Sequence, residues 1–383
     1  MNDPIARCLG MSGDDATERV LRRLRPWIET ETPSGHVDNI VALSRRIEDE
    51  LDAIGGVVEA FDAPRLGRNL RVTFHGDQPE LEHLLLLGHI DTVHPIGTLQ
   101  HQPWRVFQDR AEGPGIFDMK GAIAVAVEAL ACIAGRHLRP RRTVRMLITC
   151  DEEIGSHGSR DLIAECAAEA GVAIVPEPAL PDGSAKTRRK GVGTYRMEAH
   201  GRAAHAGIDP RSAVSATAEI AHQVLACLAL ADPAMGTTLN IGTIGGGTAS
   251  NVVAAHAWAT IDTRFVEPAE GDRIDRALAD LAPRLAGASV KVNRNELRPP
   301  LVRTPQVAAL YEQAREVAAG LGVVLGEGAT GGGSDGSLVA ALGVPTLDGL
   351  GPRGGGAHAA DEHILLSDLP FRVALMVRLL ETF

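Results

Sequence analysis

Residues 84–93 read Leu-Leu-Leu-Leu-Gly-His-Ile-Asp-Thr-Val. An apolar run this short, closed by glycine, has no polar side to give to water and reads as a strand buried on both faces. Similar runs occupy 144–149, 172–175 and 344–347, separated by apolar stretches of helical spacing such as 122–133 and 337–342. Strands of this kind alternating with helices predict an α/β fold around a mostly parallel sheet.

On the N-terminal side, a polar tail to about residue 15 is expected to precede core-facing helices across 18–54. Val20, Leu21, Leu24 and Trp27, then Ile40, Leu43, Ile47, Leu51 and Ile54, recur at helical spacing. Between 192 and 292 the pattern changes. Residues 194–199, 239–244 and 257–265 alternate, 213–228 and 274–285 are helical, and 290–292 closes the set. Strand, helix, strand, strand, helix, strand is the ferredoxin-like order. With 383 residues, two domains are the default. The reading is a main domain of 1–188 and 299–383 with 189–298 inserted in it, and no repeat period is found.

Composition narrows the function. A formal net charge of -11 repels phosphate backbones, and the clusters Arg139, Arg141, Arg142 and Arg188, Arg189, Lys190 are short and lack interleaved aromatics, so nucleic acid is not expected as a partner. Five cysteines without a Cys-x-x-Cys spacing suggest neither a disulfide frame nor a thiolate metal site and fit a reducing compartment. The first twenty residues hold no continuous apolar stretch, and no segment approaches the ~18 apolar residues of a membrane span. A cytoplasmic protein without a membrane partner is expected.

The chemistry-bearing residues fall at strand ends. His89 and Asp91 follow 84–87, Glu152 and Glu153 follow 144–149, Glu177 follows 172–175, and His358 lies in the glycine-rich stretch after 344–347. Asp118 sits in Gly-Pro-Gly-Ile-Phe-Asp-Met-Lys-Gly just before a helix. Open α/β sheets bind ligands outside the carboxyl ends of their strands. Singly, a His-x-Asp is a common structural pair and two adjacent acids are a common solvated loop. Together, two histidines and several carboxylates on one sheet edge repel one another unless cations neutralise them. Imidazole and carboxylate without thiolate suit zinc, with cobalt or manganese possible, and the ligand count favours two ions. The glycine-rich loops carry no P-loop ending and no dinucleotide fingerprint, so nucleotide binding is rejected.

These residues resemble the zinc-dependent acetylornithine deacetylase, succinyl-diaminopimelate desuccinylase, aminoacylase and glutamate carboxypeptidase family. The matching pieces are Gly88-His89-Ile90-Asp91-Thr92-Val93, Asp118-Met119-Lys120-Gly121, Asp151-Glu152-Glu153-Ile154-Gly155-Ser156, Glu177-Pro178-Ala179, His205-Ala206-Gly207 and His358. They span nearly the whole chain from about residue 20. The resemblance implies a zinc-exopeptidase-like catalytic domain with an inserted lid and dimerisation domain. It implies that His89 and Glu177 hold one zinc, Glu153 and His358 a second, and that Asp118 bridges them. Asp91 would orient His89, Glu152 would act as general base, and His205 would stabilise the oxyanion, in related dimers from the partner subunit. Asn251, Arg264, Lys190, Gly332 and Gly333 would line the substrate site, Arg264 as a clamp on an α-carboxylate.

Ala122 stands where a second glycine is common in the family, which leaves the bridge untouched. The His-Ala-Gly form and Arg189-Lys190-Gly191-Val192-Gly193 lean towards the glutamate carboxypeptidase branch. The implied reaction is hydrolysis of an amide to release an amino acid with a free α-carboxylate, glutamate first, from a small N-acyl or peptidyl substrate. An N-acyl-amino-acid deacylase such as an acetylornithine deacetylase is the enzymatic alternative. A non-catalytic binding protein that retains the fold is the alternative of another class, and the intact Glu152 argues against it.

Overall fold

The computed structural model describes residues 3–383. In chain order the strands of its two main sheets are β1 (Val57–Ala63), β2 (Gly67–Phe74), β3 (His83–His89), β4 (Val144–Thr149), β5 (Ala170–Val175), β6 (Ala185–Arg189), β7 (Gly191–His200), β8 (Thr238–Gly246), β9 (His256–Phe265), β10 (Ser289–Arg298), β11 (Glu327–Thr330) and β12 (Thr346–Asp348). The helices are α1 (Pro4–Leu9), α2 (Gly13–Ile28), α3 (Val37–Ala53), α4 (Gly121–Gly135), α5 (Arg160–Ala168), α6 (Ala216–Leu228), α7 (Pro268–Ala279), α8 (Pro305–Gly320), α9 (Gly336–Ala341) and α10 (Leu369–Thr382).

The chain divides into two compact units. One comprises the chain up to Arg188 with Arg303–Ala329 and Ser334–Phe383; the other is Arg189–Val302 with Thr330–Gly333. The sheet of the first runs β1-β2-β4-β3-β5-β12-β6-β11. Its centre is parallel: β3 pairs with β4 and β5, and β5 with β12. The flanks are antiparallel, with β1 on β2, β2 on β4 and β12 on β6. The four leucines divide between the faces of β3. Leu84 and Leu86 enter the core with α2, α4 and α10, while Leu85 and Leu87 pack with Leu162, Ile163 and Val339 of α5 and α9. Alternation across a strand explains why an unbroken apolar run is needed there.

The segment read as a polar tail is helical. Asp3 accepts a hydrogen bond from Ile5 N and Ser12 from Asp15 N as caps of α1 and α2, and Ala6 and Leu9 are buried. Helix α1 is too short for its apolar residues to register as a periodic stripe, while α2 starts five residues ahead of the stretch whose Val20, Leu24 and Trp27 mark it as a helix; both pack on α10.

In the second unit the sheet runs β8-β9-β7-β10, antiparallel throughout. Numbered within the unit, this is second, third, first, fourth, the ferredoxin-like arrangement. Tyr195, Met197 and Ala199 of β7 and Ala257, Ala259 and Ile261 of β9 pack against Ala216, Ile220 and Cys227 of α6 and Ile274 and Leu278 of α7. Helix α7 spans 268–279 rather than 274–285. Pro268 starts it at a position where a missing N–H is harmless, and Pro283 disfavours helix in the residue before it.

Candidate metal centre

Three devices of the first unit aim side chains at one point. β3 ends on His89, the 3-10 turn Glu152–Ile154 follows β4, and the turn Ile116–Lys120 leads into α4. Glu177 follows β5 and is 6% exposed, and His358 stands in the stretch after β12 with φ of 63°.

Asp118 lies between the two imidazoles. Its Oδ1 is 3.3 Å from His89 Nε2, and its Oδ2 is 3.3 Å from His358 Nε2. His89 Nε2 is also 3.7 Å from Glu177 Oε1, and His358 Nε2 is 3.3 Å from Glu153 Oε2. One ligand atom each from His89, Asp118 and Glu153 fall within 4.8 Å of one another. On the other side of the His89 ring, Nδ1 is 3.0 Å from the Asp91 carbonyl and 3.4 Å from its Oδ1. Both partners accept, so Nδ1 carries the proton and Nε2 of the neutral ring presents a lone pair to two carboxylate oxygens. That arrangement is repulsive without a proton or a cation in the gap.

The protonation equilibria carry the same message. Burial pushes His89 down, but hydrogen bonds with Asp118 and Asp91 outweigh it and hold the imidazole well above its usual value. Asp118 and Glu153 push His358 up to about 10. Burial raises Asp118, yet the two imidazoles hold it far below the usual carboxylate range, while burial wins at Glu153 and lifts it. Glu153 Oε1 is buried and has no hydrogen-bond partner. An orphaned carboxylate oxygen, three clustered carboxylates and two imidazoles, with no thiolate, fit divalent zinc, cobalt or manganese.

Asp91, fully buried, organises the shell behind this cluster. Its Oδ1 accepts from Glu152 N (3.1 Å), and its Oδ2 from Glu153 N (3.2 Å) and Ser34 Oγ (2.6 Å). One carboxylate thereby fixes the imidazole of His89 and the turn that carries both glutamates, as outer-shell groups at metal sites do.

Sequence reasoning missed Glu362. It is fully buried, and its Oε1 accepts from Phe117 N and Asp118 N, each 2.9 Å. Its Oε2 accepts from Gly115 N (2.8 Å) and lies 2.6 Å from His94 Nε2. The sole signal in the sequence is an acid four residues after His358. Lys120 belongs to the Asp118-Met119-Lys120-Gly121 motif without a role that its sequence reveals; its Nζ donates to the carbonyls of Trp27 (3.1 Å) and Thr30 (3.0 Å), and burial lowers it to about 7. It ties the Asp118 turn to the end of α2.

The other residues named from the sequence belong to the second unit. His205 is exposed and pairs through its backbone with Val252, while Ala206 N donates to Asn251 O at 2.9 Å, so His205 and Asn251 sit on adjoining segments. Lys190 Nζ donates to Gly236 O (2.7 Å). Arg264 faces Asp262 with both Nε and Nη2 at 2.9 Å, and its Nη1 donates to Gly331 O at 3.2 Å. The fork expected to meet a substrate carboxylate is already bidentate to a carboxylate of its own strand. Gly332 and Gly333 offer their carbonyls to Arg189 Nη1 at 3.2 and 2.8 Å.

A model of the peptidase family M20/M25/M40 matches residues 85–382. The chain belongs to this family. Membership makes it a metal-dependent hydrolase of the peptidase and amidohydrolase kind. Among M20 relatives, carboxypeptidase G2 of Pseudomonas sp. (strain RS-16) is 31% identical over 382 residues, covering 97% of this chain and 91% of that protein. The succinyl-diaminopimelate desuccinylase of Verminephrobacter eiseniae is 29% identical over 306 residues, 75% of each chain. In fold the chain is similar to a tripeptidase from Staphylococcus aureus, with a TM-score of 0.77 at 23% identity over 95% of this chain and 98% of that one. An M20 metallo-carboxypeptidase from Sulfolobus solfataricus gives 0.74 at 17% identity, over 94% and 98%. Among the described residues no helix is long and apolar enough to cross a membrane.

Proposed function

We propose that the protein is a di-zinc carboxypeptidase that hydrolyses the amide joining a C-terminal glutamate to an acyl or peptidyl group. His89 and Glu177 would hold one ion, Glu153 and His358 the other, and Asp118 both, with cobalt or manganese as substitutes. The observation that carries the reading is Asp118, which turns one carboxylate oxygen to each imidazole at 3.3 Å. Bound zinc supplies a Lewis acid and lowers the pKa of coordinated water to about 7.

The chain's own residues would do the rest. Glu152 takes the proton from the attacking water and delivers it to the leaving nitrogen, which needs a carboxylate that is not itself a ligand. Its backbone hangs from Asp91, so the base and the His89 ring are set by one group. His205 and Asn251 would stabilise the oxyanion. Asp262 holds the Arg264 fork through Nε and Nη2, and Nη1 donates to Gly331 O, so Arg264 would meet the α-carboxylate through the remaining Nη1 and Nη2 hydrogens, and Lys190 would meet an acidic side chain, beside Gly332 and Gly333.

A homodimer through the inserted unit is part of this proposal, supported by the exposed apolar Leu225 and Leu228 of α6 and Ile244 of the edge strand β8. Five free cysteines, four of them buried, support a reducing, cytoplasmic setting. The likeness to carboxypeptidase G2 supports glutamate release; the likeness to a desuccinylase favours, as second reading, an N-acyl-amino-acid deacylase. Metal-loaded protein assayed against peptides and N-acyl compounds ending in glutamate, N-acetylornithine and N-succinyl-diaminopimelate separates the two. Preference for the glutamate set is expected, and preference for N-acetylornithine reverses the order.

A further inference from the structure

We propose a second, independent metal site on the open face of the inserted unit's sheet, in which Glu198, His200 and His256 bind one divalent transition-metal ion of the zinc class. It shares no residue with the centre around Asp118.

Strand alternation puts these groups together. Tyr195, Met197 and Ala199 of β7 face the helices, so Arg196, Glu198 and His200 face away from them. On β9, His256 is the register partner of His200 and Trp258 that of Glu198, and directly paired residues project from the same face. The result is a His-His cross-strand pair with a glutamate two residues along one strand. One ligand atom from each of the three lies within 4.8 Å of the others, the same spacing met by His89, Asp118 and Glu153. The two rings are 5.0 Å apart between centroids at 38°, and His256 Nε2 is 3.9 Å from Glu198 Oε1. Zinc bonds of about 2.0–2.2 Å in tetrahedral geometry draw ligand atoms to roughly 3.4 Å. His200 and His256 are exposed at strand ends, so the remaining distance closes by side-chain rotation without disturbing the ladder.

The glutamate is also prepared for the task. Arg196 Nε donates to Glu198 Oε1 at 3.1 Å, and its guanidinium sits 4.4 Å over the Trp258 ring. Arg196 holds Glu198 below the usual carboxylate range, and a ligating carboxylate is ordinarily supported by such an outer hydrogen bond. Arg196 and Lys291, the register partner of Glu198 on β10, add positive charge that weakens cation binding. Three protein ligands with a fourth position open to solvent therefore describe an exchangeable site rather than a closed structural one.

The test is equilibrium dialysis of the full-length, metal-loaded protein against micromolar Zn2+, with bound zinc counted by atomic emission and turnover measured on the same samples. The His200→Ala/His256→Ala double variant is expected to bind one zinc fewer per chain at unchanged turnover. Glu198→Gln should keep that ion with affinity reduced about tenfold or more. Equal zinc in wild type and double variant overturns the proposal. So does a joint fall of zinc and turnover, which would assign the lost ion to the Asp118 centre. Unchanged affinity in Glu198→Gln removes the glutamate and with it the three-ligand site. Because turnover is read separately, failure here leaves the carboxypeptidase reading standing, and the reverse.

Discussion

Glu362→Gln tests how the Asp118 turn is held. In the wild type one buried carboxylate receives three backbone N–H groups, from Gly115, Phe117 and Asp118, and contacts His94 Nε2. Glutamine keeps one oxygen and turns an NH2 towards whatever the other oxygen served. If the amide oxygen stays with Phe117 and Asp118, His94 recovers a bond by changing tautomer, but the Gly115 N–H faces a donor and cannot. The loss is one charge-assisted bond of about 1.5–3 kcal/mol, plus weakening of two bonds that are now neutral, in all about 2–5 kcal/mol. At about 1.4 kcal/mol per decade this is at least roughly 30-fold in the opening equilibrium of the turn. Amide hydrogen exchange on a peptide covering 113–121 reads it directly, because these N–H groups exchange only when the turn opens. Exchange within twofold of wild type would refute the reasoning. Zinc affinity, measured by chelator competition, is expected to fall in step, since Asp118 would no longer be held between the imidazoles.

Glu152→Gln should retain metal while turnover drops by about 10²–10⁴-fold; full activity would contradict its assignment as base. Glu270 accepts from both Nε and Nη2 of Arg273 at 2.8 Å and from Thr237 Oγ1 at 2.6 Å, and Arg273 first, then Thr237, hold it down to about 2 against an ordinary 4.5. A depressed carboxyl stabilises the fold above about pH 4.5 and ceases to as pH falls towards 2. The stability gap between wild type and Glu270→Gln, followed by denaturant melts, should therefore narrow across that window; a constant gap would contradict the assignment.

The central strands were legible because burial on both faces leaves an unmistakable mark, as in the four leucines of β3. Strands β1 and β2 were not. In β1, the mostly exposed edge strand, the acids Glu59 and Asp62 fall three residues apart and give no two-residue period, and in β2 the alternation is confined to Leu70, Val72 and Phe74, too short a run to stand out until the two strands pair. The helical start of the chain and the displaced α7 were misplaced for the reason that packing and prolines, rather than apolar periodicity, set their bounds. At the metal centre, His89, Asp118, Glu153, Glu177 and His358 announce themselves by residue type at strand and turn ends. Glu362 does not, because its partners are backbone N–H groups about 245 residues away in sequence, and a backbone donor leaves no trace in a side-chain pattern.

Anomalous diffraction at the zinc edge, on crystals grown from zinc-loaded protein, tests the central claim most directly. Two peaks are predicted, roughly 3.5–4 Å apart as in paired metal sites, one beside His89 and Glu177 and one beside Glu153 and His358, with Asp118 touching both. No density among these side chains, or zinc bound elsewhere while they remain paired with one another, would contradict the account.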